Sequence, residues 1–145
     1  MEPQVALESR RFGPRELADE IDALRNQVPA AVDAFDLTGA IDRVWSFVRS
    51  LNRYVTEQKP WELVKDEANA ARVDQVLYDL ADGLRVCAVA LAAYLPETAP
   101  KILDALGQPL ELGWEQVEYG RLTPCDGIAA APPLFPRLES AVDAA

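Results

Sequence analysis

The side chains of this 145-residue sequence that could do covalent or metal chemistry are few and scattered. Histidine is absent, and the two cysteines, Cys87 and Cys125, lie far apart with no metal-ligand spacing between them. Without histidine there is no Ser-His-Asp or Cys-His nucleophile pair and no histidine metal site. No glycine-rich phosphate loop is present either. We therefore expect no catalytic residue, no metal, no cofactor, and two reduced thiols.

Positive charge is concentrated in one segment of an otherwise acidic chain. The formal net charge is -10. Residues 41–65 nevertheless carry five basic side chains against three acidic ones, while the rest of the chain carries nine against 21. An acidic chain of this kind does not bind nucleic acid mainly by neutralising phosphates, so any contact with RNA must be local.

Two side chains in that segment have two interpretations each. Trp61 follows Lys59-Pro60 at the expected end of a helix, where an indole either covers the core or stacks on an unpaired base, which contributes about 1–3 kcal/mol. Asn52 lies at the margin of an apolar stripe, where it either bonds a neighbouring helix or reaches the surface. Trp45 is expected in the core or an interface, and Trp114 is expected to anchor the C-terminal stretch.

Three long segments repeat apolar residues at alternating spacings of four and three, which is typical of amphipathic helices. Pro14 favours the start of the first helix, Pro29 its end or a kink, and Lys59-Pro60 the end of the second helix near Gln58. The stripes are Leu17, Ile21, Leu24, Val28 and Ala31; Leu37, Ile41, Val44, Val48, Leu51 and Val55; and Val73, Leu77, Leu80, Leu84, Cys87 and Leu91.

These stripes predict an all-α fold, an antiparallel helical bundle over residues 1–107. An extended tail over residues 108–145 should pack back on the bundle or on a catalytic domain. A short fourth helix should begin at Pro96 and stop near Leu106, because Gly107 is a favourable residue just beyond a helix end. Glycines and prolines punctuate the tail, and Leu-Phe-Pro at 134–136 is its most hydrophobic anchor. No apolar run suggests a membrane span, and the polar start does not resemble a signal peptide, so we expect a cytoplasmic protein.

Two motifs resemble the anticodon-binding domain of bacterial methionyl-tRNA synthetases. Residues 51–55 read Leu-Asn-Arg-Tyr-Val and residues 59–65 read Lys-Pro-Trp-Glu-Leu-Val-Lys, at the separation found in that family. The similarity covers roughly residues 15–139, including Leu-Pro-Glu-Thr-Ala at 95–99 and Leu-Phe-Pro-Arg-Leu-Glu at 134–139. The resemblance implies the bundle of a class I synthetase anticodon-binding domain.

The resemblance also implies roles for individual residues. Trp61 matches the tryptophan that stacks on the anticodon, an unpaired loop that is readable by stacking. Asn52 and Arg53 match motif residues on the helix that frames it, and we expect them to support RNA binding. Two features depart from the family pattern: its other anticodon readers lie on an earlier helix that is missing or diverged here, and Thr56 replaces an acidic residue.

Our expectation is therefore a tRNA-binding module of a methionine-tRNA ligase. Its partners would be the methionine anticodon loop and a class I catalytic domain in cis or in trans, with no DNA and no membrane. The chain would be an excised piece of the enzyme or a free-standing relative, since the family's catalytic signatures do not occur in it. The alternative is a free-standing helical interaction protein that kept the fold and lost RNA reading.

Overall fold

The computed structural model describes residues 14–138, and these residues form helices and loops without a strand. The α-helices are α1 (Pro14–Asp33), α2 (Leu37–Gln58), α3 (Pro60–Leu63), α4 (Ala70–Leu91) and α5 (Thr98–Ala105). Single turns of 3-10 helix lie at Glu67–Asn69 and Trp114–Gln116. The long helices α1, α2 and α4 form an antiparallel bundle, and an extended tail follows α5. The sequence-based prediction of fold class is confirmed.

Helix α1 buries its apolar stripe as expected but continues through Pro29, so the prediction of an end there is wrong. A proline inside a helix has no N–H for the carbonyl four residues earlier, which here belongs to Arg25. The indole N–H of Trp114 donates to that carbonyl at 3.0 Å. A side chain from the tail thus satisfies the acceptor that Pro29 leaves open.

A three-residue connection sets α1 and α2 antiparallel. Phe35 has a φ of 58°, its N–H donates to the Val32 carbonyl at 2.9 Å, and the Asp36 N–H donates to the Ala31 carbonyl at 2.8 Å. These two bonds end α1 in a Schellman motif. The Asp36 carboxylate then accepts a bond from the Gly39 N–H at 2.8 Å and caps α2.

The buried faces of α2 and α4 are rotated from the predicted stripes. On α2, Phe47 and Tyr54 are buried although neither belongs to the stripe, whereas Leu37 is 61% exposed. On α4, Leu77 and Leu84 are 51% and 45% exposed. The buried positions on α4 include two carboxylates and glycine, which an apolar pattern does not count: Val76, Asp79, Asp82, Gly83 and Val86.

The first buried carboxylate, Asp79, joins α2, α4 and the tail. It accepts hydrogen bonds from the Tyr54 hydroxyl at 2.7 Å, the Tyr119 hydroxyl at 2.6 Å and the Gln75 amide at 2.8 Å. Burial, followed by the bond to Asp79, raises the pKa of Tyr54 above its ordinary value of 10.0, and the same two causes raise that of Tyr119. Both tyrosines therefore remain neutral donors at physiological pH.

The second buried carboxylate, Asp82, fixes the tail through Arg85. Asp82 accepts from Arg85 Nε at 2.8 Å and from the Gly120 N–H at 2.7 Å. The two terminal nitrogens of Arg85 donate to the carbonyls of Gln116 and Glu118, each at 2.7 Å. Every nitrogen of this buried guanidinium is therefore bonded. Among the described residues no buried side-chain N or O atom lacks a partner.

The contacts that hold the tail on the bundle end at Ala129, before its apolar end. Val117 is fully buried in the main core, and the Ala129 N–H donates to the Ala105 carbonyl at 2.9 Å. Leu134 and Phe135 are 36% and 68% exposed, so of the two expected surfaces for this anchor, the bundle or a catalytic domain, the bundle does not bury them. Trp114 does act as an anchor, through its bond to Arg25.

Replacing Arg85 with Ala should lower the free energy of unfolding by about 3–5 kcal/mol, because Asp82 would be left as a buried charge without its cation. Arg121→Ala is the matched control, since Arg121 pairs with Glu118 at the surface and should cost about 0–1 kcal/mol. Urea denaturation followed by circular dichroism measures both. Equal losses in the two variants would contradict the importance of the buried pair.

Replacing Trp114 with Phe should cost about 1–3 kcal/mol, because the Arg25 carbonyl loses its donor. The loss should shrink by about 1 kcal/mol in a Pro29→Ala background, where the new backbone N–H can bond the same carbonyl. Thermal or urea unfolding of the four proteins in this double-mutant cycle gives the coupling. Additive effects would show that Pro29 and Trp114 are independent.

Candidate nucleic-acid interface

The corner between α2 and α3 presents the tryptophan singled out in the sequence. Lys59 has φ 46° and ψ 62°, a left-handed conformation, and its N–H donates to the Val55 carbonyl at 3.1 Å. That residue ends α2, and Pro60 occupies the first turn of α3, where its missing N–H costs nothing. The chain therefore turns sharply at Lys59-Pro60 and begins a new helix of four residues.

Trp61 lies on the outer side of this corner. It is 52% exposed, while Leu63 is half-buried and packs against Tyr54 and Val76. Leu63 is therefore the residue of α3 that joins the core, and the indole of Trp61 keeps surface available for contact. The exposure disfavours the interpretation of Trp61 as a residue that mainly covers the core.

Asn52 and Arg53 are both exposed on α2. Asn52 lies seven residues before Lys59, so the two positions share one face of α2 about two turns apart. The Asn52 carbonyl also accepts from the Thr56 hydroxyl at 2.9 Å. Arg53 lies about 100° further around the helix. The structure thus brings Asn52 onto the side of the Lys59 corner and directs Arg53 to an adjacent side.

The charges at the corner are positive but partly paired. Lys59 is exposed, whereas Lys65 Nζ bonds both carboxylate oxygens of Glu62 at 2.9 Å. Arg49 is exposed further along α2. A surface ion pair such as Lys65–Glu62 contributes little to stability and exchanges readily with other partners. The local surface can therefore offer cations to a phosphate while the whole chain remains acidic.

Two residues of α2 beneath the corner hold it against α4. The sequence did not identify either of them as a residue that positions Trp61. Tyr54 bonds Asp79, and the buried amide of Gln58 accepts a hydrogen bond from Arg72 of α4. Both residues lie on the core side of the last two turns of α2. The tyrosine of the Asn-Arg-Tyr motif is thus a structural residue, and only its pairing with a buried aspartate reveals that role.

Both cysteines lie in residues 14–138, and they differ in burial. No group of three or more His, Cys, Asp or Glu side chains in that range could hold a metal ion. Cys87 is buried, and desolvation raises the pKa of its thiol to about 12, which keeps it protonated and unreactive; Cys125 is exposed. Within the same range, no helix has both the length and the apolar character needed to cross a membrane.

The left-handed residue at the corner gives a test of its geometry. Lys59→Gly should keep or raise the free energy of unfolding by up to about 1 kcal/mol, because glycine adopts this conformation without steric cost. Lys59→Val removes the same charge but should cost about 1–2 kcal/mol, since a branched side chain is strained there. Urea unfolding compares them, and a less stable glycine variant would contradict this backbone conformation.

Comparison with known proteins relates the chain to one group of enzymes. No family profile matches the sequence. A methionine-tRNA ligase from Deinococcus radiodurans is 40% identical over 134 residues, which is 89% of this chain and 19% of that protein. One from Streptomyces coelicolor is 36% identical over 116 residues, 74% of this chain and 22% of that protein.

Comparison of the fold with solved structures leads to the same group of enzymes. The crystal structure of ligand-free methionyl-tRNA synthetase from Mycobacterium tuberculosis matches with a TM-score of 0.79 and 31% identity, over 90% of this chain and 27% of that one. The chain spans about a fifth of the length of the curated relatives it matches. By sequence and fold, the chain therefore belongs to the methionyl-tRNA synthetase family, in which it corresponds to the helical C-terminal domain and not to the whole enzyme.

Proposed function

We propose that this chain recognises the anticodon loop of methionine tRNA, as the RNA-reading part of a methionine-tRNA ligase active in the cytoplasm. The observation that carries the proposal is the half-exposed Trp61, held on a four-residue helix at a basic corner. Methionine activation and transfer would take place on a class I catalytic domain, supplied in cis or in trans.

The geometry of the corner suits an unpaired base. The left-handed Lys59, Pro60 and the packed Leu63 fix the backbone on both sides of Trp61, so the backbone that carries the indole needs little ordering when RNA binds. Stacking of one base on an aromatic side chain contributes about 1–3 kcal/mol and tolerates any base. Trp61 would therefore supply affinity for an open loop, and other groups would have to supply base selectivity.

Asn52 and Arg53 take supporting roles in this proposal. An exposed amide such as Asn52 can donate and accept hydrogen bonds at once, which suits the edge of a splayed base. Arg53 can approach a phosphate or the face of a base on the adjacent side of α2. The net charge of -10 would repel RNA at long range, so these contacts act only after the loop has reached the corner.

The division of labour along the chain is part of the same proposal. The bundle, residues 1–107, would read RNA, and the tail, residues 108–145, would connect the bundle with the catalytic domain. The first half of the tail is fixed by Arg85 and Trp114. Its later apolar residues Leu134 and Phe135 remain exposed and available to a protein surface.

A second candidate is a helical interaction protein that no longer reads RNA. Its support is the acidic net charge together with several exposed apolar side chains away from the corner, such as Trp45, Leu77 and Leu84. An RNA titration separates the two candidates, because only the first requires Trp61 for affinity.

Trp61→Ala should weaken binding to a methionine anticodon stem-loop by about 1–3 kcal/mol, roughly 5- to 150-fold, because one stacked base is lost. The helical circular dichroism and unfolding midpoint should stay close to wild type, since the side chain is half-exposed. Fluorescence anisotropy at low salt measures the affinity, because weak local phosphate contacts are least screened there.

Trp45→Ala provides the matched control. Trp45 is 45% exposed on α2, but 14 residues before Lys59 it lies about 21 Å from the corner along the helix axis, so RNA affinity should not change. Trp61→Phe should restore part of the stacking. Unchanged affinity in Trp61→Ala would support the second candidate, and a collapse of its fold would return Trp61 to the core.

A further inference from the structure

Phe35, in the turn between α1 and α2, combines backbone strain with exposure. It is the most exposed aromatic side chain of the described residues, at 93%, and its φ of 58° lies in the left-handed region that bulky residues rarely adopt. Glycine is the usual residue at this position after a helix, because it adopts that conformation without steric cost. Neither property of Phe35 stabilises the folded chain, so its side chain is available for a contact with another molecule.

An apolar pocket adjoins Phe35, and we call it the α1–α4 pocket. Its volume is about 340 Å³, close to the lower limit of about 300 Å³ for small-molecule pockets, so it suits one large side chain. Val32 belongs to its wall, and the Val32 carbonyl accepts the Phe35 N–H at 2.9 Å, so Phe35 and the pocket lie side by side. The main apolar wall residues are Pro29 and Val32 on α1, Tyr94 after α4, and Leu112 and Trp114 in the tail.

Both features are already fixed in the single chain. The backbone of Phe35 is held by the two hydrogen bonds that end α1. The indole of Trp114, one wall of the pocket, is held by its bond to the Arg25 carbonyl at 3.0 Å. A contact between two preordered surfaces loses less conformational entropy than a contact that must first order a loop.

We propose that a second copy of this chain fills the α1–α4 pocket with its Phe35, and that the contact is reciprocal. Rotation about a two-fold axis brings the Phe35 of each copy to the pocket of the other, which requires one surface to carry both halves of the contact. Phe35 and the adjoining pocket meet that requirement, whereas a partner of different sequence would need only one half. The proposal does not rest on RNA reading, because the start of α2 at Leu37 lies about 33 Å from Lys59 along the helix axis.

The charges around the pocket determine how strong the association is. Asp33 lines the pocket and Asp36 follows Phe35, both are exposed, and none of the described wall residues is Lys or Arg. Two copies therefore bring like charges together across a small interface, and the dimer should be weak. Salt screens this repulsion and leaves the apolar contact in place, so association should strengthen as the ionic strength rises. Association with a basic partner would show the opposite dependence on salt.

Sedimentation equilibrium of the full 145-residue chain over a range of concentrations tests the proposal, and wild type should show a monomer–dimer equilibrium. Phe35→Asn should raise the dissociation constant at least about tenfold, because both aromatic contacts of the dimer are lost. The midpoint of urea unfolding, measured in dilute solution where wild type is monomeric, should stay equal or rise, because asparagine tolerates the left-handed region. Loss of association without loss of stability distinguishes a contact residue from a structural one.

The matched control is Phe135→Asn, which makes the same change at another exposed phenylalanine, 68% exposed in the tail, and should leave the dissociation constant at the wild-type value.

A second variant tests the other half of the contact. Ala93→Glu places a carboxylate at an exposed part of the pocket wall and should weaken association as much as Phe35→Asn does. Phe35→Asn keeps the pocket and Ala93→Glu keeps the phenylalanine, so a heterodimer of the two variants retains one intact contact. An equimolar mixture should therefore associate more tightly than either variant does alone.

Four results would overturn the proposal. They are a wild type that is monomeric at every concentration, association that Phe35→Asn leaves unchanged, a mixture that associates no more tightly than its two components, and association that weakens as salt is added. If wild type is monomeric and Phe35→Asn instead weakens its co-purification with the Deinococcus radiodurans relative shortened by the 134 matching residues, the remainder of a synthetase is the occupant.

Discussion

The two buried carboxylates of α4 determine how the rest of the molecule is arranged. Asp79 joins α4 to Tyr54 of α2 and to Tyr119 of the tail, and Asp82 binds the tail both directly and through Arg85. Apolar packing alone is not directional and would tolerate several rotations of α4. A fully bonded polar network accepts only one, because any other rotation would leave a buried charge unpaired.

Several ends of the helices could be predicted from the sequence because local chemistry determines them. The Lys59-Pro60 step and Gly107 lie at or just beyond the ends of helices, as expected. The sequence predicted less reliably which side of each helix faces the core. Asp79 and Asp82 replace apolar residues in the core of α4, and Leu77 and Leu84 extend the apolar pattern beyond what this bundle buries. A stripe wider than one interface does not reveal which part of it faces the core.

Contacts between distant residues explain the remaining differences. Pro29 was expected to end or kink α1, and the helix continues through it, where an indole 85 positions later bonds the carbonyl that proline leaves open. The site shows the same limit. The motifs suggested Trp61, Asn52 and Arg53 as candidate site residues, but not the pairs that hold the corner in place, Tyr54 with Asp79 and Gln58 with Arg72. Each pair joins α2 to α4 and becomes visible only when the two helices are packed together.

The acidity of the chain and the small size of the corner together constrain what this bundle could contribute to RNA binding under the proposed function. One stacked base and a few cations supply only a few kcal/mol, and the net charge of -10 opposes the approach of any nucleic acid. If the bundle reads RNA as proposed, most of the affinity for a whole tRNA would have to come from the catalytic domain supplied in cis or in trans, with this bundle acting at high effective concentration once the tRNA is held. Under the proposed function a rigid corner would be worth more than a strongly basic surface, since discrimination between bases would depend on how accurately hydrogen-bonding groups such as Asn52 are positioned beside the stacked base.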